Sequence, residues 1–173
     1  MMMTYEEAKH MIDDGDVIFL KTNTLAGKII RFFTSSPYTH VAIAFKMRTE
    51  PERLLVVEAQ GGTKRRIINL SEYTVHEMDV IKSPKDWSTY SQQALDKLGV
   101  AKYGWTQAAY LGIRQFLLQK FRIKIPRRSI AGEICSEFVA TCLGLSETRL
   151  TPSELQQALA SMGHPVCFTI YKS

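Results

Sequence analysis

The chain has 173 residues, 45% of them hydrophobic and 23% charged, with 22 Lys and Arg against 17 Asp and Glu and a net charge of +5. That length and mix fit one globular domain, residues 1–173, with a sizeable core, and they exclude a disordered chain. Three cysteines without paired spacing exclude a disulfide framework or a zinc knuckle and suit reduced thiols.

The opening "MMMTYEEAKHMIDDGD" is acidic and lacks the apolar core of a signal peptide, so a cytoplasmic protein is expected, with export or assembly into a larger particle by a non-standard route as the alternative. Thr4 with Glu7 three residues on is a capping box and predicts a short helix over 4–12. "GDVIFLKT" (15–22) reads as a strand, and Asp13, Asp14 and Asp16 lie at the junction without calcium-loop spacing. "LAGKIIRFFT" (25–34) has helical spacing. "HVAIAFK" (40–46) and "RLLVVEA" (53–59), separated by "MRTEPE", read as a hairpin, and "RRIINL" (65–70) and "VHEMDVIK" (75–82) as two further strands.

Helices are then predicted over 88–99, 103–121 and 133–144. A fourth spans 151–163, with Thr151 as cap, Pro152 in the first turn, Glu154 completing a capping box and Gly163 as stop. "VCFTIY" (166–171) is the last strand. Strands first and helices later predict an α+β fold. No apolar stretch is long enough for a membrane span.

The histidine of "SSPYTHVAIAF" poses the functional question. Alternation puts His40, Ala42 and Ala44 on one face of their strand and Val41, Ile43 and Phe45 on the other. Folding the hairpin about residue 49 sets His40 directly across from Glu58, where facing Cβ atoms stand about 5 Å apart. A one-residue slip would part them. Such a pair is either a surface ion pair or part of a catalytic site.

Cys135 is the candidate nucleophile. It falls in the first turn of its helix, where orphan N–H groups and the helix dipole favour an anion. Cys135, Phe138, Val139, Cys142 and Leu143 form the stripe that turns toward the sheet. A buried core cysteine is the competing reading, and Cys142 and Cys167 are both read that way. His10, His76 and His164 read as exposed or loop positions, and Ser36 lacks the elbow of a serine nucleophile. The basic runs offer Lys64, Arg65, Arg66, Arg127 and Arg128 either as solvated charge or as a docking surface for anions. No nucleic-acid motif accompanies them, so nucleic acid is not an expected partner.

Taken together, "GDVIFL", "YTHVAIAF", "VVEAQGG", "KYGW", "CSEFVATCLG" and "TPSEL" resemble the circularly permuted branch of the NlpC-type papain-like cysteine hydrolases, the YiiX/YebB-like group related to lecithin retinol acyltransferase. The resemblance runs roughly from Gly15 to Leu155. It implies a permuted papain-like fold: an antiparallel, small barrel-like sheet packed on the helix that carries the nucleophile. It also implies Cys135 as nucleophile, His40 as general base and acid, Glu58 as orienting residue, and Tyr103 or Tyr38 at the oxyanion site or pocket wall. No metal or cofactor is implied. The substrate would be a cell-wall-type peptide or a small acyl compound, with a lipid-directed acyltransferase or thioesterase, or a non-catalytic binding module, as alternatives. Two departures stand out: Gly104 follows the tyrosine where the group has an acidic residue, and a helical insertion over 104–121 with a basic stretch after it precedes the cysteine.

Overall fold

The computed structural model describes residues 1–24, 27–28, 31–32, 36–59, 65–96, 98–99, 105–123 and 134–172. Its elements run β1 (Met2–Met3), α1 (Tyr5–Ala8), β2 (Val17–Lys21), β3 (His40–Met47), β4 (Arg53–Ala59), β5 (Arg65–Asn69), a 3-10 turn (Leu70–Tyr73), β6 (Glu77–Ile81), α2 (Trp87–Leu95), α3 (Trp105–Phe121), α4 (Cys135–Cys142), α5 (Pro152–Ser161) and β7 (Phe168–Ile170). The fold is α+β. One sheet of order β1-β7-β6-β2-β3-β4-β5 is antiparallel throughout, apart from the parallel β1–β7 pair. The helix expected over 25–34 falls mostly outside the described residues.

Local chemistry accounts for these elements. Both expected capping boxes form: Thr4 with Glu7 opens α1, and Thr151 with Glu154 opens α5 behind Pro152. Gly144 ends α4 with φ +63, a conformation that L side chains rarely adopt. Val17, Ile18, Phe19 and Leu20 are all fully buried because both faces of the sheet are covered, which is why β2 reads as an unbroken apolar run. One face carries Val17, Phe19, Val41, Ile43 and Val57 and packs with Phe138 and Val139 of α4 and Leu155 and Leu159 of α5. On the other, Ile18, Leu20, Ala42, Ala44 and Val56 meet Ala8, Ile12, Leu70 and Tyr73.

Four expectations are corrected. Among the described residues the sheet is open, with β1 and β5 at its edges, and does not close on itself as a barrel. The hairpin register lies two residues from the expected one. Met47 stays in the ladder opposite Arg53, so the loop centres on Glu50, Ile43 faces Val57, and continuing the register sets Ala42 opposite Glu58. An even shift keeps His40 and Glu58 on one face, now as diagonal neighbours.

Cys167 is exposed, because it precedes β7 and the alternation of that strand turns Phe168 and Ile170 inward. Arg65 is no surface cation. It is 4% exposed, donates to the Gln93 and Ala94 carbonyls in the last turn of α2, and sits 4.3 Å from the Phe138 ring. It thereby ties the β5 edge to α2 and α4. Arg65→Met is expected to cost on the order of 2–3 kcal/mol in urea unfolding, since it strips helix-end carbonyls of a charged donor. No helix among the described residues is long and apolar enough to cross a membrane.

Candidate active site

Three donors converge on one carboxylate. Glu58 on β4 is fully buried, and its Oε2 meets His40 Nε2 at 2.8 Å and accepts from the Tyr73 hydroxyl at 2.6 Å. Its Oε1 accepts from Arg66 Nε at 2.8 Å. The sheet supplies two of these partners. His40 opens β3, and Arg66 is the residue directly opposite Glu58 on β5. Tyr73 arrives from the 3-10 turn that follows β5.

A buried charge is tolerated only when its lone pairs are answered by donors. Burial pushes the Glu58 carboxyl up. Its hydrogen bond and attraction to His40, then the bonds from Tyr73 and Arg66, outweigh that and bring it down to about 2. Burial, reinforced by the Glu58 charge, raises Tyr73 far above the usual phenol range. Glu58 is therefore an acceptor only, and His40 Nε2 must carry the proton between them. The free lone pair of the neutral ring then sits on Nδ1.

Cys135 is the first residue of α4, within the first turn as expected, although the helix begins two residues later than the predicted 133. Ile134 precedes it without a side-chain cap, so no side chain of the capping residue claims the first N–H groups of the helix. The predicted stripe is buried in full, and Ser136 Oγ donates to the Leu150 carbonyl, pinning the first turn. Cys135 itself is 4% exposed, within the cluster that holds Phe19, Tyr38 and Val41. Because His40 opens its strand, its ring can be approached from the α4 side. Burial alone would lower its basicity, but the charge and hydrogen bonding of Cys135, followed by those of Glu58, outweigh burial and push the ring up to about 10.

The remaining predicted residues divide. Tyr38 is buried with its hydroxyl donating to Asp79 at 2.7 Å, in a network that includes Lys21 at 2.9 Å and Thr169 at 2.6 Å from the same carboxylate. Burial and then Asp79 hold that phenol well above its ordinary range. Tyr38 is thus engaged within the fold and does not present a free hydroxyl to a substrate. Tyr103, Lys64, Arg127 and Arg128 lie outside the described residues. Arg66, read from sequence as surface charge, is half-buried on Glu58. Ser36 is buried and accepts from the Tyr38 amide.

Sequence reasoning missed Arg66 and Tyr73 as partners of Glu58. Extending the β4–β5 register by one hairpin would have found Arg66. Tyr73 has no periodic signal, because the 3-10 turn carrying it is too short to produce one.

No protein-family profile matches the chain, and no curated protein matches it. Among solved structures it is similar to the metalloprotein YiiX from Escherichia coli O157:H7, with 14% identity, a TM-score of 0.51, and coverage of 93% of this chain and 97% of that one. At this identity the likeness establishes a YiiX-like fold and nothing of the chemistry. YiiX is described as a metalloprotein, but the carboxylate at the centre of this site is not free to hold a metal. Among the described residues no three His, Cys, Asp or Glu side chains form a metal-holding group, and the Glu58 oxygens are already taken by an imidazole, a phenol and a guanidinium.

The two shifts set a pH window. His40 is raised from its ordinary 6.5, so the stability it contributes is whole below pH 6.5 and is lost as pH rises through about 10. Glu58 is lowered from 4.5, so its contribution is whole above pH 4.5 and is lost as pH falls through about 2. Urea unfolding should show the excess stability of wild type over His40→Gln greatest between pH 4.5 and 6.5 and shrinking toward pH 10.

Proposed function

We propose that the chain is a thiol hydrolase of the permuted papain-like class that cleaves an amide or ester bond, with Cys135 as nucleophile, His40 as general base and then acid, and Glu58 as the orienting carboxylate. The observation that carries this reading is the His40 ring, fixed through Nε2 by a buried carboxylate while Cys135, at the start of a helix, acts on it.

The chemistry follows from the tautomer. The Cys135 thiol gives its proton to His40 Nδ1, and the ring becomes an imidazolium balanced by Glu58 on one side and the thiolate on the other. The thiolate attacks the carbonyl carbon. The developing oxyanion is met by the first N–H groups of α4, where losing one such donor typically costs about 3 kcal/mol. Collapse expels the amine or alcohol, which takes the proton from Nδ1 and leaves an acyl group on sulfur. Water then gives a proton to Nδ1 as it attacks the thioester, and the thiol is restored as the acid departs.

A cell-wall-type peptide or small acyl compound is the substrate class this reading favours. With a second nucleophile in place of water, the same steps give acyl transfer. Tyr103 remains the proposed second oxyanion donor, because Asp79 holds the Tyr38 hydroxyl.

The test uses a Cys167→Ser background, since that exposed thiol would label regardless of mechanism. Iodoacetamide should modify Cys135 well before Cys142, and equal labelling of the two would overturn the assignment. Cys135→Ser and His40→Ala should each lower turnover of ester and peptide substrates at least about a thousandfold while the protein stays folded. Tyr73→Phe removes one charged hydrogen bond from Glu58 and should cost roughly tenfold in kcat, with KM little changed.

A further inference from the structure

We infer that α3, with the aromatic side chains stacked along it, is a docking surface for an anionic lipid bilayer. This surface stands apart from the thiol chemistry and does not depend on it. One side of α3 is anchored in the protein: Leu111 is buried, and Arg114 pairs with Glu154 of α5 at 3.2 Å. Away from these contacts, aromatic side chains form a chain of ring contacts that runs to the C-terminal end of the helix. Phe32 stacks on Phe116 with ring centroids 5.8 Å apart, and Phe116 meets Phe121 edge-on at 6.1 Å. Phe32 is 65% and Phe121 58% exposed, and Ile113 within the helix and Ile123 just past its end are exposed as well. Soluble proteins rarely leave aromatic side chains exposed in so contiguous a group.

Charge identifies the occupant. From Lys97 to Gly132 the sequence holds eight Lys and Arg and no Asp or Glu. Since the whole chain is +5, the remainder is net −3, and all of the excess positive charge lies in the segment that contains α3. Lys120 and Arg122 are exposed and flank Phe121 directly. An exposed apolar cluster at a helix end, bordered by cations, suits a membrane interface, where the apolar groups enter the acyl boundary and the cations meet anionic headgroups. A nucleic acid or other polyanion would account for the cations but leave Ile113, Phe121 and Ile123 without a role.

The test is co-sedimentation of the full chain with phosphatidylcholine vesicles made with and without phosphatidylglycerol. Partitioning is expected onto the anionic vesicles, falling with added salt. Lys120→Gln and Arg122→Gln should each weaken it about fivefold. Phe121→Ser should weaken it roughly tenfold, with the circular dichroism spectrum unchanged. Absence of vesicle binding by wild type overturns the proposal. So does binding that Phe121→Ser leaves intact, which would mark simple attraction to polyanions. A Phe121→Ser variant that turns an oligomer into a monomer, with no vesicle binding in either form, would instead assign the cluster to contact between copies and would equally overturn it.

Discussion

A carboxylate with no exposed surface has to be answered inside the fold, and Glu58 is answered by an imidazole, a phenol and a guanidinium drawn from three different elements. The arrangement has an all-or-nothing character. Each partner is modest alone, yet removing any one leaves part of a buried charge unsolvated, which costs more than the bond was worth. The β4–β5 register, the 3-10 turn after β5 and the orientation of His40 are thereby tied to a single point. The imidazole reaches the α4 terminus with its tautomer already decided.

Much of this was legible in the sequence. Capping boxes at Thr4 and Thr151, strand alternation around His40 and the helical stripe from Cys135 to Leu143 each encode a local rule, and local rules survive folding. What stayed hidden depends on nonlocal geometry. The hairpin register turned on whether Met47 belonged to the loop or the ladder. Arg65 and Arg66 look alike in a basic run, but adjacent strand positions face opposite ways, so one enters the core over Phe138 and the other turns to Glu58. Cys167 and Cys142 have similar apolar neighbours, yet one lies just ahead of a strand and the other within a packed helix.

The low exposure of Cys135 and Glu58 has an electrostatic corollary. With little water at hand, the attraction between Glu58 and the His40 ring is screened weakly, so the basicity of the ring depends closely on how β3 and β4 hold the pair together. The packing of Phe138 and Val139 against Val41 and Ile43 holds the start of α4 against β3, and with it the surroundings of that ring.

The parallel pairing of β1 with β7 brings Met2 beside Thr169 and Met3 beside Ile170. Chain order and spatial order are separable in such an architecture. Because β1 and β7 run in the same direction, a linker that returned along the sheet edge from Lys172 to Met1, with a new opening cut ahead of Ile134, would yield a polypeptide that begins with the cysteine helix and reaches the histidine strand later, while every side chain keeps its neighbours. The linear sequence is then one of several routes through the same solid, and the arrangement around Glu58 would be indifferent to which route is taken.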